Sequence, residues 1–351
     1  MISFYPGPSR VEERIPEYVQ DAYEAGILSI NHRSDEFMEL AKNTIHEVKA
    51  KLDIPDDYSV FFTSAATECW EIIAQSLIKN ASTHFFNGAF GEKWFKNTQK
   101  INANAVGQSF DVEEALDPGK SEISPVNDVI CLTQNETSNG TQVHNSTIEQ
   151  LRAMYPDQII AADATSSMAG IQLEFTHADV WYASVQKCFG LPAGLAVMIC
   201  SPRAIQRALE INETQRYNSL SSIIHMIDKY QTTHTPNIMG IYLLNRVMGE
   251  RKSIGEVARE TSTRFKNLSN ALEDAGLQHL IQNQDVRSYT VLPVTGERNR
   301  IQTIKTNARK EGIILGNGYG LWKETTFRIA NFPAIKHYEI DTLIAFLKKN
   351  P

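Results

Sequence analysis

The most constraining feature of this 351-residue chain is a recurring order: a short apolar run, a polar loop, then an amphipathic helix. Residues 59–63 are apolar and β-prone, and Ser64-Ala65-Ala66-Thr67 leads from them into a helix predicted over 68–79. Residues 84–86 lead through Asn87-Gly88-Ala89-Phe90-Gly91 into a helix predicted over 92–100. The run 129–132 is followed by the polar stretch 135–140 and a helix over 148–155, ended by Pro156. The run 159–162 ends in Asp163-Ala164-Thr165-Ser166-Ser167. The next, 180–185, is broken by Gly190, Pro192 and Gly194 before 195–200 turns apolar again. This order predicts an α/β fold, a mostly parallel sheet with helices on both faces. Ligands of such sheets lie at the carboxyl ends of the strands. That places residues 64–67, Phe90, Thr137, Asp163 and Lys187 along one edge.

Each of these residues has a bland reading and a chemical one. Lys187 follows a buried strand, and its only polar sequence neighbour is Gln186. Desolvation there would push its amine pKa down, and such an amine condenses with a carbonyl group. The stretch alone equally allows a lysine reaching out to water. The turn at 64–67 opens a helix whose free amides would attract an anion, although every αβ junction offers a plain capped helix. Phe90, between glycines in a predicted loop, is either a lid on the core or a platform for a flat ring. Asp163 is either a turn residue or a carboxylate at a strand end. Arg328, inside the apolar strand 326–330, calls for an anion. A ligand carboxylate would suit its two-pronged guanidinium, and so would a protein carboxylate.

The remaining composition excludes several classes. A net charge of −7 and a pI near 5.8 leave no nucleic-acid footprint. Cys69, Cys131, Cys188 and Cys200 form no Cys-x-x-Cys pair and no metal-ligand spacing, so free thiols, a reducing compartment and no metal are expected. No run approaches the roughly 20 apolar residues of a membrane span. The start, Met1-Ile2-Ser3-Phe4-Tyr5-Pro6, lacks the pattern of a signal peptide. A cytoplasmic location is therefore expected. Helices predicted over 238–248 and 254–275, broken near Gly249, bridge to an α+β C-terminal part with strands near 290–294, 313–315 and 326–330. We expect a large domain over 15–250 and a small one formed by 1–14 with 251–351.

Three stretches taken together carry a resemblance: Asp163-Ala-Thr-Ser-Ser, Ser184-Val-Gln-Lys187 with Gly190-Leu-Pro-Ala-Gly194, and His234-Thr235-Pro236. Over nearly its whole length the chain resembles the class V aminotransferases of fold type I, most of all the phosphoserine aminotransferases. The resemblance implies a large sheet domain of the seven-stranded type, a smaller C-terminal domain, and pyridoxal 5'-phosphate as cofactor. It implies that Lys187 binds the cofactor and moves the proton, and that Asp163 pairs with the pyridinium nitrogen. Phe90 takes the place of the stacking aromatic, usually a tryptophan in that family. Thr137 and Gln186 contact the phenolic side or the ring, and Ala65, Ala66 and Thr67 form the phosphate cup. His234 and Thr235 reach that phosphate from the neighbouring subunit of a homodimer, and Arg328 clamps the substrate carboxylate.

The early Asn31-His32-Arg33-Ser34 is similar to the family's His-Arg-Ser segment, which helps bind the substrate phosphate across the dimer. This implies amino transfer between glutamate and 3-phosphohydroxypyruvate, in serine biosynthesis. One departure stands against it. Where the family often has a second His-Arg pair, this chain has Gly320-Leu-Trp-Lys-Glu324. The stretches 318–320 and 327–329 look more like the alanine/serine–glyoxylate branch, so unphosphorylated small acids are the alternative substrates. Lys323 or Arg10 are the candidates to replace the lost charge. A lyase such as a cysteine desulfurase is disfavoured, because Gln186 stands where those enzymes usually have histidine. A non-catalytic homologue is disfavoured because Lys187 and Asp163 are both present.

Overall fold

Seven strands form the central sheet of the computed structural model, which describes residues 1–121 and 123–350. Their order is Ser59–Thr63, Ala196–Cys200, Val180–Ser184, Ile159–Asp163, Asn127–Thr133, Ala81–Phe86, Val106–Ser109. Only Ala196–Cys200 runs against its neighbours, so the sheet is mostly parallel as expected. Strand residues alternate between two apolar layers. Phe62, Ile130, Leu132, Ile160, Trp181 and Val197 enter one core. Phe61, Val129, Cys131, Ile159, Tyr182 and Met198 enter the other, against Trp70 and Ile73 of the Ala66–Ser76 helix and Leu77 just after it. A period of two with both faces buried is what makes these strands read as continuous apolar runs.

Two local expectations need correction. Phe90 is not in a loop: the helix runs Ala89–Ile101 and holds Phe90 in its first turn. The distant Glu136 carboxylate accepts from the backbone N–H of Phe90 (3.0 Å) and of Gly91 (3.1 Å), satisfying amides that no local residue caps. The stretch after Thr133 is not all loop either. Asn135–Glu136 and Thr141–Gln142 pair as a short antiparallel hairpin.

The C-terminal part is α+β. Its five-stranded sheet has the order Ile2–Phe4, Ile313–Asn317, Thr326–Ala330, Val291–Thr295, Gln278–His279. The chain's first strand thus pairs in parallel with a late one, Ile2 opposite Ile313. The chain then crosses to the large sheet, where the Ser9 and Glu12 amides donate to the carbonyls of Gln186 (3.0 Å) and Gly190 (2.8 Å). The two helices expected on either side of a break near Gly249 are Ile238–Glu250 and Ile254–Asp274, the break falling just after Glu250. All four cysteines are buried and unpaired. Among the described residues no helix is long and apolar enough to cross a membrane, and no cluster of side chains could hold a metal ion.

Candidate active site

The carboxyl ends of three neighbouring strands lie side by side: Thr133 is opposite Asp163, and Asp163 opposite Tyr182, two residues before the Val180–Ser184 strand ends. A cavity of about 770 Å³ opens over these ends, and Lys187, three residues beyond the Val180–Ser184 strand, projects into it. Lys187 is 7 % exposed, and its Nζ donates to Thr137 Oγ1 at 2.7 Å. Burial pushes its pKa down to about 8, against the pull of the Asp163 and Glu136 charges. A fold that merely let this lysine snorkel would leave the ammonium in water. Here the amine is held inside and neutralised within reach of physiological pH.

That shift has a measurable consequence. Only the neutral amine attacks a carbonyl, so the rate of aldehyde capture by Lys187 should climb with pH and level off above about pH 8. An ordinary lysine would go on gaining past pH 10. Stopped-flow absorbance after mixing the protein with pyridoxal phosphate from about pH 6.5 to about 11.5 reads this profile directly, at buffer pH values chosen to bracket ~8 and ~10.4.

Asp163 is 5 % exposed, and its carboxylate accepts from the Thr165 backbone N–H at 2.8 Å. Burial raises its pKa, while the Thr165 bonds and the nearby Lys187 charge favour ionisation. Phe90 faces the same cavity, its ring centroid 5.3 Å from Lys187 Nζ. Glu136 sits behind it. Besides capping the Phe90 helix, its carboxylate accepts from Ser138 N (2.9 Å) and Ser138 Oγ (2.7 Å), which flank Thr137. One buried carboxylate thus fixes both the aromatic ring and the hydroxyl that meets Lys187. At Gly88 the approach is so close that a Cβ would lie 2.3 Å from Glu136 Cγ. Gly7 is equally constrained, since a Cβ there would stand 3.0 Å from Lys187 Cε.

Arg328 is 5 % exposed in its strand. Its Nε donates to the Asn317 carbonyl (2.7 Å) and its Nη1 to the Thr137 carbonyl (2.8 Å). No carboxylate among the described residues pairs with it, so two neutral carbonyls orient a cation that keeps its full charge toward the cavity. Ala66 and Thr67, in the first turn of the Ala66–Ser76 helix, also line the cavity; Ala65 does not. The Ala66 N–H donates to Ser184 Oγ at 2.8 Å, which ties the helix start to the strand end before Lys187. Gln186 completes the wall.

The other expected residues lie elsewhere in this chain. His32, Arg33, His234 and Thr235 do not line the cavity. Arg33 donates to Gln231 Oε1 at 2.7 Å, and the His32 pKa is lowered by desolvation first, then by the Arg33 and His234 charges. They lie apart from the cavity on the 31–34 and 231–235 loops, with Arg33 as their one permanent cation. Arg10 is also outside the cavity, paired with Glu339 at 3.2 Å. Tyr319, Lys93, Asn135, Thr133 and Thr165 were not anticipated from sequence, yet all line it. Three were legible as the polar residues just past an apolar strand: Thr133, Asn135 and Thr165. Tyr319 and Lys93 gave no such signal.

The wall suits a flat, polar, phosphorylated aldehyde. It offers a buried amine, a carboxylate, an aromatic face and a helix N-terminus. Thr133 Oγ1 and Asn135 Oδ1 are buried there without a hydrogen-bond partner among the described residues. Orphaned buried polar atoms are costly unless a ligand satisfies them.

The comparisons with known proteins agree. The family described as aminotransferase class-V matches residues 6–321. The phosphoserine aminotransferase of Rhodococcus opacus (strain B4) is 27% identical over 361 residues, covering 96% of this chain and 91% of that protein. The crystal structure of a phosphoserine aminotransferase from Cytophaga hutchinsonii ATCC 33406 superposes with a TM-score of 0.95 at 30% identity, covering 99% of this chain and 98% of that one. An alanine–glyoxylate aminotransferase from Nostoc sp. shares the fold, with a TM-score of 0.86 at 17% identity over 99% of this chain and 94% of that one. The chain therefore belongs to the class-V aminotransferase family, of the fold-type I α/β architecture, and is a pyridoxal-phosphate-dependent transaminase.

Proposed function

We propose that this transaminase exchanges an amino group between glutamate and 3-phosphohydroxypyruvate, forming phosphoserine. The observation that carries the substrate reading is a pair of separated positive centres in one cavity: Arg328, buried, and Lys93 with Lys323, exposed at the rim. Arg328 Cζ and Lys93 Nζ lie 5.5 Å and 5.2 Å from the same Tyr319 ring centroid, so a substrate with a carboxylate at one end and a phosphate at the other can meet both. The names of the Rhodococcus and Cytophaga relatives support the same reading.

When bound, the cofactor supplies an aldehyde for amines and an electron sink for the substrate's α-carbon. The chain's own residues do the rest. Lys187 Nζ would hold the aldehyde and, as a free amine, would carry the substrate's α-proton. Asp163 keeps a proton on the ring nitrogen, which a buried carboxylate does well in a low-dielectric site. Phe90 would cover one ring face, Thr137 and Gln186 would meet its edge, and the Thr67 amide at the helix N-terminus would take the phosphate, the Ala66 N–H being held by Ser184 Oγ. Arg328 receives the substrate carboxylate through its fork. His32, Arg33, His234 and Thr235 would act on the cavity of a second copy of the chain, so we propose a homodimer. The free thiols suit a cytoplasmic enzyme.

A half-reaction survey tests the substrate. The cofactor-loaded enzyme is mixed in turn with phosphoserine, glutamate, serine and alanine, and the loss of its visible absorbance is followed. Phosphoserine and glutamate should act at least about tenfold faster than serine or alanine, the worth of one charged contact of ~1.4 kcal/mol. Faster turnover with alanine or serine would replace this reading by the unphosphorylated one.

A further inference from the structure

We propose that Lys93, positioned by Tyr319, and Lys323 form a subsite for the second anionic group of the substrate, across the cavity from Arg328. This rests on the transaminase reading above and names the residues of its own chain that would select a doubly charged substrate.

Lys93 stands one helical turn after Phe90 on the Ala89–Ile101 helix. Its Nζ lies 5.3 Å from the Phe90 ring centroid and 5.2 Å from that of Tyr319, and it donates to Tyr319 Oη. The two rings are themselves 5.5 Å apart. Cation–π attraction from two faces and a hydrogen bond hold this ammonium in one place, unlike a free surface lysine. Tyr319 also approaches Arg328, whose Cζ is 5.5 Å from its ring centroid. The tyrosine therefore acts as a spacer, with one cation against it on the carboxylate side and another at the rim.

The charges around Lys93 and Lys323 sharpen the case. Glu92, beside Lys93, pairs with Lys96, and Glu324, beside Lys323, pairs with Arg298 at 3.3 Å. Neither Lys93 nor Lys323 has a carboxylate partner among the described residues, and Asp163 is the only acid on the cavity wall. Gly320–Trp322 and the following Lys323 bring no histidine or arginine to the wall, so a phosphate or a γ-carboxylate at the rim would meet ammonium groups. A point charge accepts an anion from several directions. Such a subsite would take the phosphate of phosphoserine and the γ-carboxylate of glutamate alike, which the two halves of a transamination require of one cavity.

The test is steady-state kinetics of the holoenzyme with phosphoserine, glutamate and alanine as amino donors. Lys93→Gln should raise KM for phosphoserine and for glutamate by roughly tenfold or more, as expected for loss of a charge-assisted contact. The KM for alanine, which has no second anionic group, should rise by clearly less, and Lys93→Arg should restore most of the loss. Lys323→Gln should act in the same direction. Tyr319→Phe, a positioning change, should raise KM for the two doubly charged donors only, and by less. Inorganic phosphate, as a competitive inhibitor, should weaken in parallel. Equal losses on all three donors, or none, would overturn the subsite. If the unaltered enzyme prefers alanine to phosphoserine, the proposed substrate fails. The contrast between glutamate and alanine still judges the lysines.

Discussion

Replacing Lys187 with alanine is expected to cut turnover by roughly 10²- to 10⁴-fold from the lost proton transfer alone. The same change should abolish covalent attachment of the cofactor. The reason is position: Lys187 Nζ is the buried amine of the cavity, aligned by Thr137 Oγ1 and with its pKa lowered to about 8. No other lysine on the wall is buried, since Lys93 and Lys323 are both exposed. The measurement is kcat with saturating glutamate, alongside borohydride reduction and peptide mapping. A pyridoxyl group should appear on residue 187 of the unaltered chain and nowhere in the variant. Folding should survive, because the change removes a desolvated amine and a single hydrogen bond. A variant that kept most of its turnover would show that another group moves the proton.

Asp163→Asn should lower kcat by about 10²- to 10³-fold, the usual cost of losing one preorganised charge from a water-excluded site. An amide is nearly the shape of a carboxylate and can still accept from the Thr165 N–H, so the strand end should keep its geometry. What disappears is the negative charge. With it gone, Lys187 loses the strongest of the charges that hold its pKa up, so the amine should titrate below its present value of about 8. The kinetic loss and a downward shift of the aldehyde-capture profile should therefore appear together. A kinetic loss with an unmoved profile would place Asp163 too far from the amine to act as argued.

Much of this site was legible because it is built from strand ends. Thr137, Asp163, Gln186 and Lys187 each follow a short apolar run, and a parallel sheet must bring such positions to one edge. Arg328 stood out as a cation inside an apolar strand. What stayed hidden depends on contacts between distant parts of the chain. Phe90 lies in a helix and not in a loop because Glu136, far along the chain, supplies the missing cap. Tyr319 reaches the wall from a turn whose glycines advertise only flexibility, and its partner Lys93 looks like any polar helix position. The strand Val106–Ser109 escaped notice because it is an edge strand, half exposed and with little apolar pattern. Local pattern reports burial and backbone preference; it is silent on which far residue completes a cap or a ring pair.

The pairing of Ile2–Phe4 with Ile313–Leu315 also bears on how the enzyme comes into being. Ile2–Phe4 leave the ribosome without a mate until the chain has grown to Ile313, which at common rates of synthesis is a wait of roughly 15 to 60 s. Meanwhile the seven-stranded sheet can assemble, since its strands end at Cys200. Yet Tyr5 to Pro8, one wall of the cavity, is then held only at its Ser9 end. A nascent chain therefore carries its reactive lysine before it carries a closed chamber, and ligand capture must lag behind formation of the sheet.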